Sequence, residues 1–426
     1  MLSSCSPSRL RAGTLALLLA MPLWATAQTA PLGADLASLL DYARQHNPEF
    51  AAMQHEAVAA QQRVQPAGAL PDPVLRVELM NINNFGNDAG FSLLPSKVGE
   101  TKYTLMQQLP YWGKRGLRRE AAAAEARQAE ARAAGTWAEQ VMKLRTGFAQ
   151  YYLAAQNERI TGEVLDLVSR LEQVAQARYA GGLAPQQDAI RAQLEQTAIR
   201  GELIGVANEK RQSQARLNAL LGRAPATALA EPQALPVVTA AALQPQTLAA
   251  RAQESNASLR AEAARLQAAQ ASRDLAQRNR YPDFNVGVFP SQVGSRITTW
   301  GVMVELNLPL QQDTRRSQES EAAAMVEAAR ARTEAAATQA ASDLEEQLSG
   351  LDAARRNEVL IATRQLPQSE LVLQSAIAAY ENGKVDFATL LEAQRQTRKA
   401  RLDLLKVQVE QQMRIAEIER TLGEPL

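Results

Sequence analysis

The sequence predicts a mainly α-helical chain with a small membrane β-barrel contribution, built as a duplicated helix, strand, strand, long helix, helix repeat. Three observations carry this. Residues 114–180 contain no proline and are dense in Ala, Glu, Gln and Arg, which lose little rotamer freedom on a helical backbone. Two pairs of short segments alternate apolar and polar residues with the period of a strand. Landmarks recur at a fixed offset: Tyr179 and Tyr380, Gly182 and Gly383, Gln193 and Gln394, and Gly222 and Gly423 each stand 201 residues apart. A tandem duplication accounts for that register.

Residues 1–27 read as a cleaved secretory signal. Arg9 and Arg11 precede the apolar run Ala12 to Trp24, and Ala25-Thr26-Ala27 supplies the small-residue cleavage site. The run is shorter than the ~20 apolar residues of a spanning helix. Cys5 is the single cysteine. It precedes the apolar core, whereas a lipid-attachment cysteine would follow it, so no lipid anchor is expected. The exported chain then has neither disulfides nor cysteine metal sites. A net charge of +1, from 46 basic and 45 acidic residues, gives no general pull toward nucleic acid. Apolar residues make up 46% and aromatics only 4%, a composition of Ala and aliphatics that suits closely spaced helices.

The first repeat spans residues 28–222. A short helix from Asp35 to Gln45 restarts at Asn47-Pro48, with Asn as cap and Pro at the first helical position, and ends near Pro66 and Gly68. A strand at about 74–80 sets Leu75, Val77 and Leu79 against Arg76 and Glu78. After a loop rich in Asn and Gly, a second strand at about 101–109 sets Tyr103, Leu105 and Leu109 against Lys102, Thr104 and Gln108. The long helix of 114–180 would measure roughly 100 Å by helical rise. It turns at Gly181-Gly182, and a return helix runs over 186–221. Residues 223–244, with Pro225, Pro232 and Pro236, form an irregular equatorial connector.

The second repeat, 245–426, follows the same order. Asn256 stands where Asn47 stood, and Tyr281-Pro282-Asp283 echoes Pro71-Asp72-Pro73. Strands are expected at about 284–289 and 299–308, the latter alternating Trp300, Val302, Val304, Leu306 and Leu308 with Gly301, Met303, Glu305 and Asn307. A long helix over 314–381 turns at Asn382-Gly383 and returns over 386–422. Pro367 interrupts that long helix, and an interior proline is expected to kink or break it.

Four strands of about 7 to 11 residues have the length to cross an outer membrane at a tilt. Four cannot close a barrel, and lipid does not tolerate an open sheet edge. Several copies must therefore pool their strands. The alternative is a small soluble β-domain capping a helical bundle.

The motifs Asn47-Pro48, LPYWGKRGLRRE (residues 109–120), YAGGLAPQQDAIRAQ (179–193) and YENGKVDFATLLEAQ (380–394), set in this duplicated pattern, resemble the TolC-type outer-membrane factors over essentially the whole mature chain. The segment Leu109 to Arg119, with Gln365-Leu366-Pro367, resembles their heavy-metal efflux branch. The resemblance implies a homotrimer in outer-membrane lipid, with a 12-stranded barrel above an α-helical periplasmic tunnel. It implies a passive exit duct for heavy-metal cations, working with a periplasmic adaptor (membrane fusion protein) and an inner-membrane transporter of the resistance-nodulation-division class. It carries no enzymatic role and no cofactor.

By the same resemblance, Gly181, Gly182, Leu183, Asp188, Asn382 and Gly383 form periplasmic tips that touch the adaptor; plain turn chemistry explains the glycines equally well. Some relatives narrow the tunnel with two acidic residues three apart. Thr389 and Glu392 hold those positions here, so one carboxylate carries over, and Asp386 lies one turn earlier as a substitute. Elsewhere the chemistry is sparse. His46 and His55 do not share a face at ligand spacing, and neither a phosphate-binding nor a dinucleotide loop occurs. The competing functional reading is a soluble periplasmic coiled-coil adaptor or scaffold.

Overall fold

The structure is a computed structural model that describes residues 32–83 and 91–426. The secretory signal with Cys5, and part of the first hairpin loop, lie outside the described residues. The elements run α1 (Leu36–His46), α2 (Pro48–Ala67), β1 (Val74–Met80), β2 (Glu100–Leu109), α3 (Lys114–Ala180) and α4 (Gln186–Leu220) in the first repeat. The second has α5 (Pro245–Ser255), α6 (Ala257–Arg278), β3 (Phe284–Val293), β4 (Arg296–Leu306), α7 (Gln312–Leu360), α8 (Leu366–Glu381) and α9 (Phe387–Leu422).

Each repeat is locked by the same pair of contacts. Asn47 caps α2 by accepting from Phe50 N–H at 2.9 Å, and its amide donates to Leu220 O at 2.8 Å. Asn256 caps α6 by accepting from Leu259 N–H at 2.9 Å and donates to Thr421 O at 2.7 Å. One side chain thus satisfies an orphan donor at a helix start and an orphan acceptor at the end of the returning helix. The returning helices stop at Gly222 and Gly423, whose φ values are +70° and +76°. A Cβ there would also lie 3.0 Å from His46 O or 2.8 Å from Ser255 O, so glycine is required twice over.

Asn256→Ala is expected to lose the cap, about 1 kcal/mol, and to leave a buried carbonyl unpaired, about 1–3 kcal/mol more. Asn256→Ser keeps a capping acceptor without the amide donor to Thr421 O and should lose only the second part. Urea unfolding of the two variants, read by far-UV circular dichroism, separates the contributions.

The helical core is layered along the axis. Leu36, Leu39, Leu144, Phe148, Tyr151 and Leu217 pack the middle of the first repeat, and Leu248, Leu344, Ile415 and Ile418 the middle of the second. The connector lies across both: Leu229 and Leu235 pack on the first cluster, Val238 and Leu243 on the second. Between the two repeats Arg145 of α3 pairs with Glu419 of α9 at 2.9 Å, with both side chains about nine-tenths buried. Burial lowers the arginine pKa against the pull of Glu419, and raises the glutamate pKa against the pull of Arg145.

Pro367 neither breaks nor sharply ends its helix. The ladder widens into a π-helical turn over Ile361–Gln365, with Leu366 N–H reaching back to Ile361 O, and α8 continues beyond it. The extra residue absorbs the proline's missing donor and ring clash. The stretch expected as one helix over 314–381 is therefore α7, the π turn and α8.

The strands form one antiparallel sheet in the order β1-β2-β3-β4. β3 is longer than the alternation predicts, and β4 is shifted toward the hairpin turn, beginning before the expected 299 and ending at Leu306, so that Asn307 and Leu308 lie beyond it. β3 passes through Pro290 and turns at Gly294-Ser295 into β4. The proline is accommodated because the β2–β3 ladder skips Phe289 and Pro290 while pairing Lys102 with Ser291 and Leu105 with Val288.

Candidate functional site

Two regions of the molecule present unusual surfaces: the sheet at one end and the helical turns at the other. Strand pairing aligns Leu75 with Leu105, Leu105 with Val288, and Val288 with Val302. One face therefore carries Leu75, Val77, Leu105, Val286, Val288, Trp300, Val302 and Val304, all exposed, with Trp300 at 70% and Val302 at 72%. Water is a poor partner for a patch of that extent. The opposite face carries Arg76, Glu78, Lys102, Thr104, Asn285, Ser291 and Glu305. There the Phe289 ring lies over Gly301, and Lys102 Nζ stands 3.9 Å from the ring centroid. An apolar outer face with a polar inner face is the pattern of a membrane barrel wall.

At the base of the sheet Tyr111 and Tyr281 stack at 4.4 Å, and Trp112 meets Phe284 edge-on at 6.1 Å. Lys114, almost fully buried, bonds Asp283 Oδ1 at 2.8 Å and Tyr281 O at 2.9 Å, while Tyr111 N–H donates to the same carboxylate at 2.8 Å. This network ties the two hairpin bases together where the helices begin.

At the far end both helical hairpins turn the same way. Gly182 and Gly383 have φ of +66° and +72°. Leu183 N–H reaches Arg178 O at 2.8 Å and Lys384 N–H reaches Ala379 O at 2.8 Å, the Schellman arrangement that satisfies the last carbonyls. Leu183 is 70% exposed. Gly181, Gly182, Asn382 and Gly383 therefore form the two turns, and Asp188 lies within the first turn of α4.

At these turns the repeat equivalence stops at the side chains. Tyr380 is buried, donating its hydroxyl to Asp188 Oδ2 at 3.2 Å and meeting Phe387 edge-on at 5.3 Å, whereas its counterpart Tyr179 is half exposed. Burial, reinforced by the Asp188 charge, pushes the Tyr380 hydroxyl up to about 12. Arg178 spans the pair: it donates to Glu381 O on the second turn and to Leu183 O on the first, with its guanidinium 5.2 Å from the Tyr380 ring centroid. Asp188 is thus a buried link between hairpins rather than an exposed tip residue.

Asp386 and Thr389 come together, but as a helix cap. Asp386 Oδ1 accepts from Thr389 N–H at 2.9 Å and from its hydroxyl at 2.6 Å, bonds that lower the carboxyl pKa. Glu392 does not join them; it is exposed and accepts from Gln396 at 3.0 Å. Farther along α9, Arg395 pairs with Glu195 at 2.5 Å and Arg398 pairs with Glu202, tying α9 to α4.

Sequence reasoning gave Arg178 no role, met Phe387 only inside the motif of residues 380–394, and met Tyr380 only as a landmark of the repeat. Among the described residues no group of three or more His, Cys, Asp or Glu is placed to hold a metal ion, and no helix is long and apolar enough to cross a membrane. His46 stacks on Tyr42 at 4.2 Å.

Residues 39–223 and 248–424 match the family described as outer membrane efflux protein. The chain belongs to that family. The two matched blocks fall on the two structural repeats. No curated protein matches the chain in sequence. Among solved structures, this outer membrane efflux protein is similar to the outer-membrane channel OprN, at 21% identity over 91% of this chain and 89% of that one, with a TM-score of 0.78. It is similar to the outer membrane protein VceC of Vibrio cholerae, at 19% identity over 92% and 96%, with a TM-score of 0.77. It is also similar to CusC, at 16% identity over 91% and 92%, with a TM-score of 0.71. The protein is an outer-membrane component of a tripartite efflux system, a passive channel and not an enzyme. The soluble scaffold reading falls with that assignment.

Proposed function

We propose that three copies of this chain close a twelve-stranded barrel, pairing β4 of each with β1 of the next, and continue below it as a helical tunnel that discharges heavy-metal cations. The observation that carries the assembly is the four-stranded sheet, apolar on its outer face and open at both edges, β1 and β4. Lipid leaves such edges no other partner. The metal assignment is supported by the likeness of the Leu109–Arg119 and Gln365-Leu366-Pro367 segments to the heavy-metal branch, with CusC among the structural relatives. The ions would be cargo, passing hydrated through the duct.

In this reading the turns at Gly181, Gly182, Leu183, Asn382 and Gly383 dock the periplasmic adaptor, which in turn joins an inner-membrane resistance-nodulation-division transporter. Asp188, through Tyr380, holds the two turns as one docking unit. Three copies of Glu392 would ring the aperture and favour cations, with Asp386 and Thr389 fixing the helix start beneath it.

Deleting the protein is expected to sensitise cells to zinc, cobalt, cadmium or copper. Growth inhibition measured against those ions and against organic drugs decides the substrate class: sensitivity confined to drugs overturns the metal assignment.

A further inference from the structure

Where the outer face of the sheet meets the helices, there is a groove of about 500 Å³ lined by Leu70, Leu109, Trp112, Phe284, Val286 and Arg115. Its sheet wall is the seam between β2 and β3, and the open edges of the sheet are β1 and β4. Closing a barrel through those edges leaves the groove uncovered. Trp112 at its mouth is 75% exposed, in the position of the aromatic girdle at a membrane-water boundary.

The helical side of the groove is strongly basic. Residues 114–119 include four cations and no acid. Lys114 is consumed by Asp283. Arg115 is held by one bond, from Nε–H to Gly68 O at 2.9 Å. Arg119, one turn farther down α3, lays its stem on the same glycine, with its Cβ 3.0 Å from where a Gly68 Cβ would stand. Neither Arg115 nor Arg119 makes a salt bridge among the described residues. Glu120 borders a separate cavity that it shares with Arg278 and Arg280.

An apolar slot open to the acyl region, with two guanidinium groups on the helix below it, matches the chemistry of a lipid with a charged phosphate. Guanidinium pairs with phosphate through parallel hydrogen bonds. We propose that this groove binds an anionic glycerophospholipid of the periplasmic leaflet, an acyl chain against Leu109, Phe284 and Val286 and the headgroup phosphate on Arg115 and Arg119. The inference rests on the reading of the sheet's apolar face as lipid-facing.

The test uses the full exported chain in nanodiscs containing brominated phosphatidylglycerol or brominated phosphatidylcholine, with tryptophan quenching as the readout. Trp300→Phe leaves Trp112 as the reporter in the membrane, because Trp137 lies roughly 35 Å farther down α3 by helical rise. Phosphatidylglycerol is expected to bind at Trp112 about fivefold or more tightly than phosphatidylcholine. Arg119→Gln should reduce that preference, and R115Q/R119Q should remove it. Equal affinity for the two lipids in the chain with both arginines, or a preference that survives their replacement, overturns the site. The companion variant Trp112→Phe reports through Trp300, which both brominated lipids should quench alike. Absence of that quenching would instead overturn the lipid-facing reading itself.

Discussion

Val302→Arg is expected to abolish the outer-membrane trimer. Val302 lies mid-strand in β4 on the apolar face, pairs with Val288 and is 72% exposed. Arginine at the bilayer midplane of a barrel costs about 2–4 kcal/mol, and three copies bring that to about 6–12 kcal/mol per trimer. The neighbouring Met303 points to the polar face, opposite Gly287. Met303→Arg places the same charge one residue away, where water fills the lumen, and should assemble normally. Unheated gel electrophoresis of outer-membrane fractions compares them directly. Equal trimer yield from both variants would remove the face assignment, and recovery of the unmodified chain only as soluble periplasmic monomer would remove the barrel.

Arg145→Met should destabilise the helical body by about 3–5 kcal/mol, because it leaves Glu419 charged and buried without a counter-ion. The Arg145–Glu419 pair is imperfectly satisfied: Arg145 Nε and Nη1 are buried without a hydrogen-bond partner among the described residues. Replacing both members, as R145M/E419L, is therefore expected to recover most or all of the loss. The pH dependence has a definite sign. Burial raises the Glu419 pKa in the folded chain, and removing Arg145 raises it further. The folded R145M chain then takes up a proton that the unfolded chain does not, as pH falls from neutrality toward the ordinary carboxylate range. The deficit of R145M relative to the unmodified chain should shrink as pH falls. Urea midpoints at pH 7.5 and 5.5 test both points, and a double variant as unstable as the single one would show that packing rather than charge dominates.

Much of the fold was legible because its signals are local. Gly182, Gly222, Gly383 and Gly423 mark turns that need a left-handed residue, and Asn47 and Asn256 mark helix starts that need an acceptor. Alternation located the strands, while Pro290 concealed the length of β3: a single sequence does not show which ladder position can spare a donor. The π turn before Pro367 was hidden for the same reason, since widening and breaking a helix answer the same missing hydrogen bond. Around the turns, the sequence marked the backbone and left the wiring unread. Arg178, Asp188 and Tyr380 are ordinary members of a charged, helical sequence until two hairpins are laid side by side.

By itself the sequence determined the helices, the four strands, the duplication and the need for a shared barrel, because helix propensity, caps, periodicity and the demands of lipid act over a few residues at a time. Only the tertiary structure decided that β2 pairs with β3, that Arg145 meets Glu419, and that Asp188 turns inward to Tyr380. Those contacts join residues more than 150 positions apart. Their energy depends on burial and geometry that no local pattern encodes.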